Sequence, residues 1–165
     1  MALAFRMLLL LCGIGGLVTG AWSEKDSKCK ERYCPKGWYL LNDRCFIFVE
    51  QRRQFADAED ICILKGGNLV SIRNTLENAL VKALIAQEGR QDNSTWIGCH
   101  DAIAEDKFVW TDGTEFKFSD FVPGQPDNFN DNEDCCEINR TNQWNDDACV
   151  DPNYFVCAKD VLCKH

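Results

Sequence analysis

The stretch QPDNFNDNEDCCEINRTNQWNDDAC, residues 125–149, decides the fold. One short strand-like piece, residues 135–138, separates two polar runs, and three cysteines punctuate the whole. Long loops without secondary structure are uncommon in a compact domain, and when ordered they are commonly functional. A clustered acidic stretch is more often a solvated face than a site. Here the acids of 127–134 and 145–151 are interleaved with Asn and Gln, the mixture of oxygen ligands that a hard cation prefers. Disulfides and a bound ion would hold loops of this kind.

Working outward, further strand-like pieces occur at 95–99, 108–110 and 154–157, with glycine- and asparagine-rich loops between them. Upstream the pattern changes. Cys34-Pro35-Lys36-Gly37-Trp38 leads to Cys45 and the apolar run Phe46-Ile47-Phe48-Val49, which reads as a stapled hairpin. Residues 54–65 put Phe55, Ala58 and Cys62 on one helical face, ended by Gly66-Gly67. A second helix follows, in which Leu76, Ala79, Leu80, Ala83 and Leu84 keep helical spacing, with Asn74 and Glu77 as its capping box. The class is α+β: two helices, then a mostly antiparallel sheet carrying large loops.

The N-terminus sets the compartment. Arg6 precedes an uncharged apolar run, residues 7–18, and the small residues Thr19-Gly20-Ala21 fit a signal-peptidase site. The run is well short of the roughly 20 residues a membrane span needs. We therefore expect a signal peptide over 1–20, a polar stub over 21–33 and one domain over 34–165, secreted and extracellular. Removal of the signal takes Cys12 from the 11 cysteines and leaves an even number, which in the secretory pathway reads as five disulfides. Zinc is excluded as the rival reading: there is no Cys-x-x-Cys pair, and His100 and His165 stand alone. The chain carries 18 basic and 26 acidic residues, which argues against nucleic acid and anionic membranes as partners.

From Cys34 to about Cys163 the chain resembles a C-type lectin domain. The resemblance rests on Cys34-Pro-x-x-Trp38, Cys62 with Gly66-Gly67-x-Leu69, Trp96-Ile97-Gly98 and Trp110-x-Asp112-Gly113. It continues through Gln125-Pro126-Asp127, Glu133-Asp134-Cys135, Trp144-Asn145-Asp146 and the closing Cys149 and Cys157. It implies a C-type lectin-like fold with long disulfide- and calcium-held loops. It also implies the pairings Cys34 with Cys45, Cys62 with Cys157 and Cys135 with Cys149. The doubled Cys135-Cys136 together with Cys99 resembles the fish branch of the family, which includes skin-mucus lactose-binding lectins and type II antifreeze proteins, and implies Cys99 with Cys136. Cys29 and Cys163, near the two ends, bridge either each other or a second subunit.

In carbohydrate-binding members of this family one calcium ion holds both protein and sugar. The matching positions here are Gln125, Asp127, Glu133, Asn145 and Asp146, three carboxylates and two amides. Asp134 takes the place of Glu133 if the doubled cysteine shifts the register by one. Pro126 would follow a cis bond, so that Gln125 and Asp127 address one ion. The sugar contacts are Gln125, Asp127, Glu133 and Asn145, whose amides donate to sugar hydroxyls and whose carboxylates accept from them. In the family the order Gln-Pro-Asp goes with galactose-type sugars, and Phe129 would stack on the apolar face of the ring. Trp96, Trp110 and Trp144 are core residues in the family. Two glycosylation sequons start at Asn93 and Asn139.

The leading expectation is thus a calcium-dependent lectin for galactose- or lactose-terminated glycans on microbial or host surfaces, of innate-defence type. Weak single sites gain from multivalency, so a homo-oligomer is expected, either disulfide-linked or not. An ice-binding protein of the type II antifreeze kind and a calcium-independent lectin of the same fold are the alternatives. An enzyme is not expected, because no Ser-His-Asp or Cys-His arrangement is present.

Overall fold

A computed structural model of the protein describes residues 29–88 and 93–165. The signal peptide expected over 1–20 and the first part of the polar stub, 21–28, lie outside the described residues. The chain enters as β1 (Glu31–Tyr33), then forms the hairpin β2 (Tyr39–Leu41) and β3 (Arg44–Arg53). Helix α1 (Phe55–Leu64), the short β4 (Asn68–Leu69) and helix α2 (Thr75–Gln87) follow. The second half is β5 (Thr95–His100), β6 (Val109–Trp110), β7 (Cys135–Ile138), β8 (Trp144–Asp147), β9 (Asn153–Asp160) and β10 (Leu162–Lys164). This is the α+β architecture expected from the sequence, two helices and a mostly antiparallel sheet carrying long loops.

The main sheet runs β2-β3-β9-β5-β7-β8, with β4 joined to β9 and β6 to β5. Every pairing in it is antiparallel except β5 with β9. The end of the polar stub is a strand: β1 pairs with β10, so the two ends of the domain lie side by side. Disulfides join Cys29 to Cys163, Cys34 to Cys45, Cys62 to Cys157, Cys99 to Cys136 and Cys135 to Cys149. Cys29 and Cys163 are therefore bridged within one chain.

Helix α1 buries Phe55, Ala58 and Cys62 against Trp96, Phe155 and Cys157, and Gly66 turns the chain out of it in the left-handed region at φ 85°. Helix α2 differs from the expectation in its orientation. Its buried face is Glu77, Asn78, Val81, Leu84 and Ile85, whereas Leu76 is 56% exposed and Ala79 and Ala83 face solvent. The expected apolar face is rotated because two polar side chains are buried by specific partners. Arg44 Nη1 donates to Glu77 Oε2 at 3.0 Å and to the Ser71 carbonyl at 2.8 Å, inside the domain. Asn78 Oδ1 accepts from the Trp144 indole at 3.0 Å. The capping box is also changed. Asn74 caps the helix through the N–H groups of Leu76 and Glu77, but Glu77 reaches back to the Arg73 N–H, not to that of Asn74.

Trp96, Trp110 and Trp144 are all core residues. Trp144 organises the loop-rich half of the domain. It meets Trp110, Phe118 and Phe121 edge-on and is tethered to α2 through Asn78, which fixes the start of β8.

Candidate functional site

The site is built from two segments that Trp144 brings together. The loop after β6 clamps onto β8: Val122 N–H donates to the Trp144 carbonyl at 3.1 Å, and Trp144 N–H donates to that of Asp120 at 3.3 Å. Gln125 N–H closes a turn on the Val122 carbonyl at 2.9 Å, and the Gln125-Pro126 peptide bond is cis. Asp127 and Asn128 are then pinned to β8, since both of their N–H groups donate to Asp146 Oδ2, at 3.1 and 2.7 Å. The chain next makes a tight turn, Phe129–Asp131, in which Asn128, Asn130 and Asp131 all adopt positive φ. Asn and Asp tolerate that region better than other non-glycine residues. Glu133 returns to the turn, its Oε2 accepting from Phe129 N–H at 3.2 Å.

The outcome is a convergence of acids. Carboxylate oxygens of Asp127, Glu133 and Asp146 lie within 4.8 Å of one another, from exposed, half-buried and buried residues respectively. Glu133, and not Asp134, is the member of the cluster. Gln125 Oε1 is buried with no hydrogen-bond donor, a state that costs free energy unless a partner arrives. Burial pushes the Glu133 carboxyl up, and the charges of Asp146, Asp147 and Asp127 add to this, against the hydrogen bond from Phe129. Repelling carboxylates, with an unsatisfied amide oxygen two residues before Asp127 in the chain, make a donor set suited to a hard divalent cation such as calcium, which takes oxygen ligands at flexible geometry. The residues present fit that ion. Asn145, the next residue along β8 before Asp146, adds a second amide.

The chain shares its family and its fold with known proteins. The lectin C-type domain family matches residues 51–159. The chain belongs to the C-type lectin domain family. It is 37% identical over 158 residues to the galactose-specific lectin nattectin of Thalassophryne nattereri, covering 95% of this chain and 94% of that one. Its fold is similar to that of the C-type lectin CEL-I from Cucumaria echinata, with a TM-score of 0.74 at 27% identity over 79% of this chain and 99% of the other. It is also similar to the herring type II antifreeze protein, with a TM-score of 0.71 at 31% identity over 78% and 100% of the two chains. The C-type lectin family is one of binding domains, not enzymes.

Of the sugar-contact candidates in this C-type lectin, Phe129 is 63% exposed on the turn. Asn145 is less free: its Nδ2 donates to Glu137 Oε1 at 3.3 Å and to the Asp146 carbonyl. Four residues around the site escape sequence reasoning. Asp101 is buried with Oδ1 unpartnered, and burial followed by the charges of Asp134 and Asp146 raises its carboxyl. Glu105 accepts from Asn128 Nδ2, which orients the turn, and Asn128 Oδ1 accepts from Glu133 N–H at 3.0 Å. Glu137, beneath Asn145, is pushed up to about 7 by burial and by neighbouring Asp147. Asp101 and Glu105 are four apart directly after Trp96-Ile97-Gly98, the one signal in the sequence that points to them. Nothing marks Glu137, whose setting depends on strand register.

Proposed function

We propose that the protein is a secreted, calcium-dependent lectin for galactose- or lactose-type sugars, with a mature chain starting near Ala21 and its domain over 34–165. The observation that carries this reading is the cluster of Asp127, Glu133 and Asp146, with a buried, unpartnered oxygen on Gln125 two residues before Asp127 in the chain. Gln125, Asp127, Glu133, Asn145 and Asp146 would hold the ion. When bound, calcium supplies coordination positions for two neighbouring sugar hydroxyls. The protein's part is to position donors and acceptors around those hydroxyls: the Gln125 and Asn145 amides donate, and the Asp127 and Glu133 carboxylates accept. The amide precedes the proline and the acid follows it, the order associated with galactose-type sugars. Similarity to a galactose-specific lectin supports the same choice. Phe129 offers an exposed apolar platform to the sugar ring.

The natural ligands are galactose- or lactose-terminated glycans on microbial or host surfaces, bound by a homo-oligomer whose several weak sites act together. Titration of lactose and mannose, with calcium and with excess EDTA, tests the reading. Lactose binding that vanishes in EDTA, with mannose silent, is expected. Lactose binding that survives EDTA overturns the role of the ion. Similarity to an antifreeze protein favours ice binding as the second reading. Silence toward both sugars, together with thermal hysteresis and ice-crystal shaping, would establish it. The turn at 128–132, with its charged and left-handed residues, is a poor match to a flat lattice.

A further inference from the structure

Of the sequence motifs, the two glycosylation sequons have no part in ion or sugar binding, and the fold treats them differently. The stretch Asn93-Ser94-Thr95 runs into the sheet. Thr95, which completes it, opens β5, is fully buried, and pairs with Ile138 of β7 and Tyr154 of β9, while Ser94 hydrogen-bonds to Glu137. The stretch Asn139-Arg140-Thr141 instead forms the turn from β7 to β8, where Arg140, Thr141 and Asn142 are exposed. Asn139 N–H donates to the Gln143 carbonyl and Asn142 N–H to the Asn139 carbonyl, both at 2.8 Å, with Asn142 in the left-handed region at φ 63°. The Asn139 side chain fills this turn through its oxygen. Oδ1 accepts from Thr141 N–H at 2.9 Å, from the Thr141 hydroxyl at 2.6 Å and from Gln143 N–H at 3.2 Å. Nδ2 takes no part in these bonds.

We propose that Asn139 carries an N-linked glycan. The proposal rests on the reading of the chain as secreted, since the donor, an oligosaccharide on a lipid diphosphate, is met on the secretory route. In the transfer Asn139 Nδ2 bonds to C1 of the first sugar and loses one proton. The C1–O bond to the diphosphate breaks, and its electron pair leaves with the diphosphate. The product is a secondary amide that keeps its oxygen. A glycan added to the nascent chain must fit the folded one, and at Asn139 it fits. Every bond the side chain makes within the turn is made by the oxygen, which the reaction leaves in place. The sugar departs from an exposed turn, where a bulky solvated group displaces no packing. Along β8 the buried Trp144 stands between the turn and Asn145 and Asp146, and the turn shares no atom with the proposed ion site.

The test is expression of the full chain in cultured animal cells, as wild type, Arg140→Pro and Asn93→Gln, with gels run before and after treatment with a peptide N-glycosidase. Proline in the middle position cancels a sequon and suits the second place of a turn. Arg140 N–H makes none of the bonds above, so Arg140→Pro keeps Asn139, Thr141 and the turn. Wild type and Asn93→Gln are expected to shift on deglycosylation, and Arg140→Pro to run one glycan-sized step below the untreated wild type. A secreted wild type that does not shift overturns the proposal, and so does Arg140→Pro that runs level with the untreated wild type. A wild type found in the cytosol overturns the secretion reading along with it, a separate result. If Arg140→Pro is not secreted, mass spectrometry of the treated wild type decides the matter, because the enzyme leaves aspartate wherever it removes a glycan. Aspartate at position 139 is expected, and an intact asparagine there overturns the proposal.

Discussion

Asp146 has two tasks that a single substitution separates only in part. It belongs to the carboxylate cluster, and its Oδ2 also accepts the N–H groups of Asp127 and Asn128 that seat the opposite side of the site. Asp146→Asn keeps an acceptor but removes the charge, so lactose binding in calcium should fall by at least tenfold in a calorimetric titration while the protein stays folded. In the proposed site Phe129 would have one task, to meet the sugar ring. Phe129→Ala should leave the affinity for calcium alone within twofold of wild type and weaken lactose by roughly five- to tenfold, or about 1 kcal/mol, the scale of a ring contact. Equal weakening of ion and sugar would show that the ring packs the turn and does not meet the sugar. The ligand candidates were legible because proline and the Trp-Asn-Asp run mark them in the chain. Glu137 was not, since its place across from Asn145 follows from strand register.

At the scale of elements, the same limit explains α2. Apolar spacing pointed to Leu76, Ala79 and Ala83, but Glu77 and Asn78 are buried because Arg44 and Trp144 need partners far away in sequence. Periodicity counts apolar residues and has no means of seeing a paired carboxylate. The helix start was legible, because the cap is local: Asn74 Oδ1 accepts from Leu76 and Glu77 N–H, both at 3.0 Å. Asn74→Ala should cost about 1 kcal/mol of stability, read as a lower denaturant midpoint. A larger penalty is expected where α1 gives way to β4. A Cβ at Gly67 would overlap the Ala158 carbonyl oxygen and come within 2.8 Å of Lys159 Cβ, both on the neighbouring β9. Backbone cannot yield there, so Gly67→Ala should be among the most destabilising alanine substitutions in the domain, seen as a sharp drop in melting temperature or in secretion yield.

For the whole molecule, the ionic contacts between α2, β3 and the loop after β6, buried at Arg44 and partly exposed at Asp120, are expected to shape how acid acts on the fold. Burial pushes Asp112 upward, but hydrogen bonds from Ser71 and Thr114 and the charge of Arg44 outweigh it and hold the carboxyl below its ordinary value. Asp120 is likewise held low by Lys82 and Asn78 against burial. For both, the folded value lies beneath the unfolded one. Their contribution is therefore complete above the ordinary value of 3.8 and is withdrawn as pH falls through the depressed folded values. Asp112→Asn and Asp120→Asn should flatten the loss of stability below about pH 4, measured in EDTA by denaturant unfolding at a series of pH values. Unchanged acid limbs would show that these contacts do not govern acid unfolding.

The bridge between Cys29 and Cys163 turns the domain into a closed covalent ring, because every peptide bond from one cysteine to the other lies inside that loop. One cut by a protease, wherever it falls in this ring, opens it without dividing it. A nicked molecule would gain only the water of the cut, migrate as one species until a reductant is added, and still hold its two pieces in register. In protease-rich fluids outside the cell, damage to an exposed loop would then leave behind a two-chain protein and not a pair of fragments.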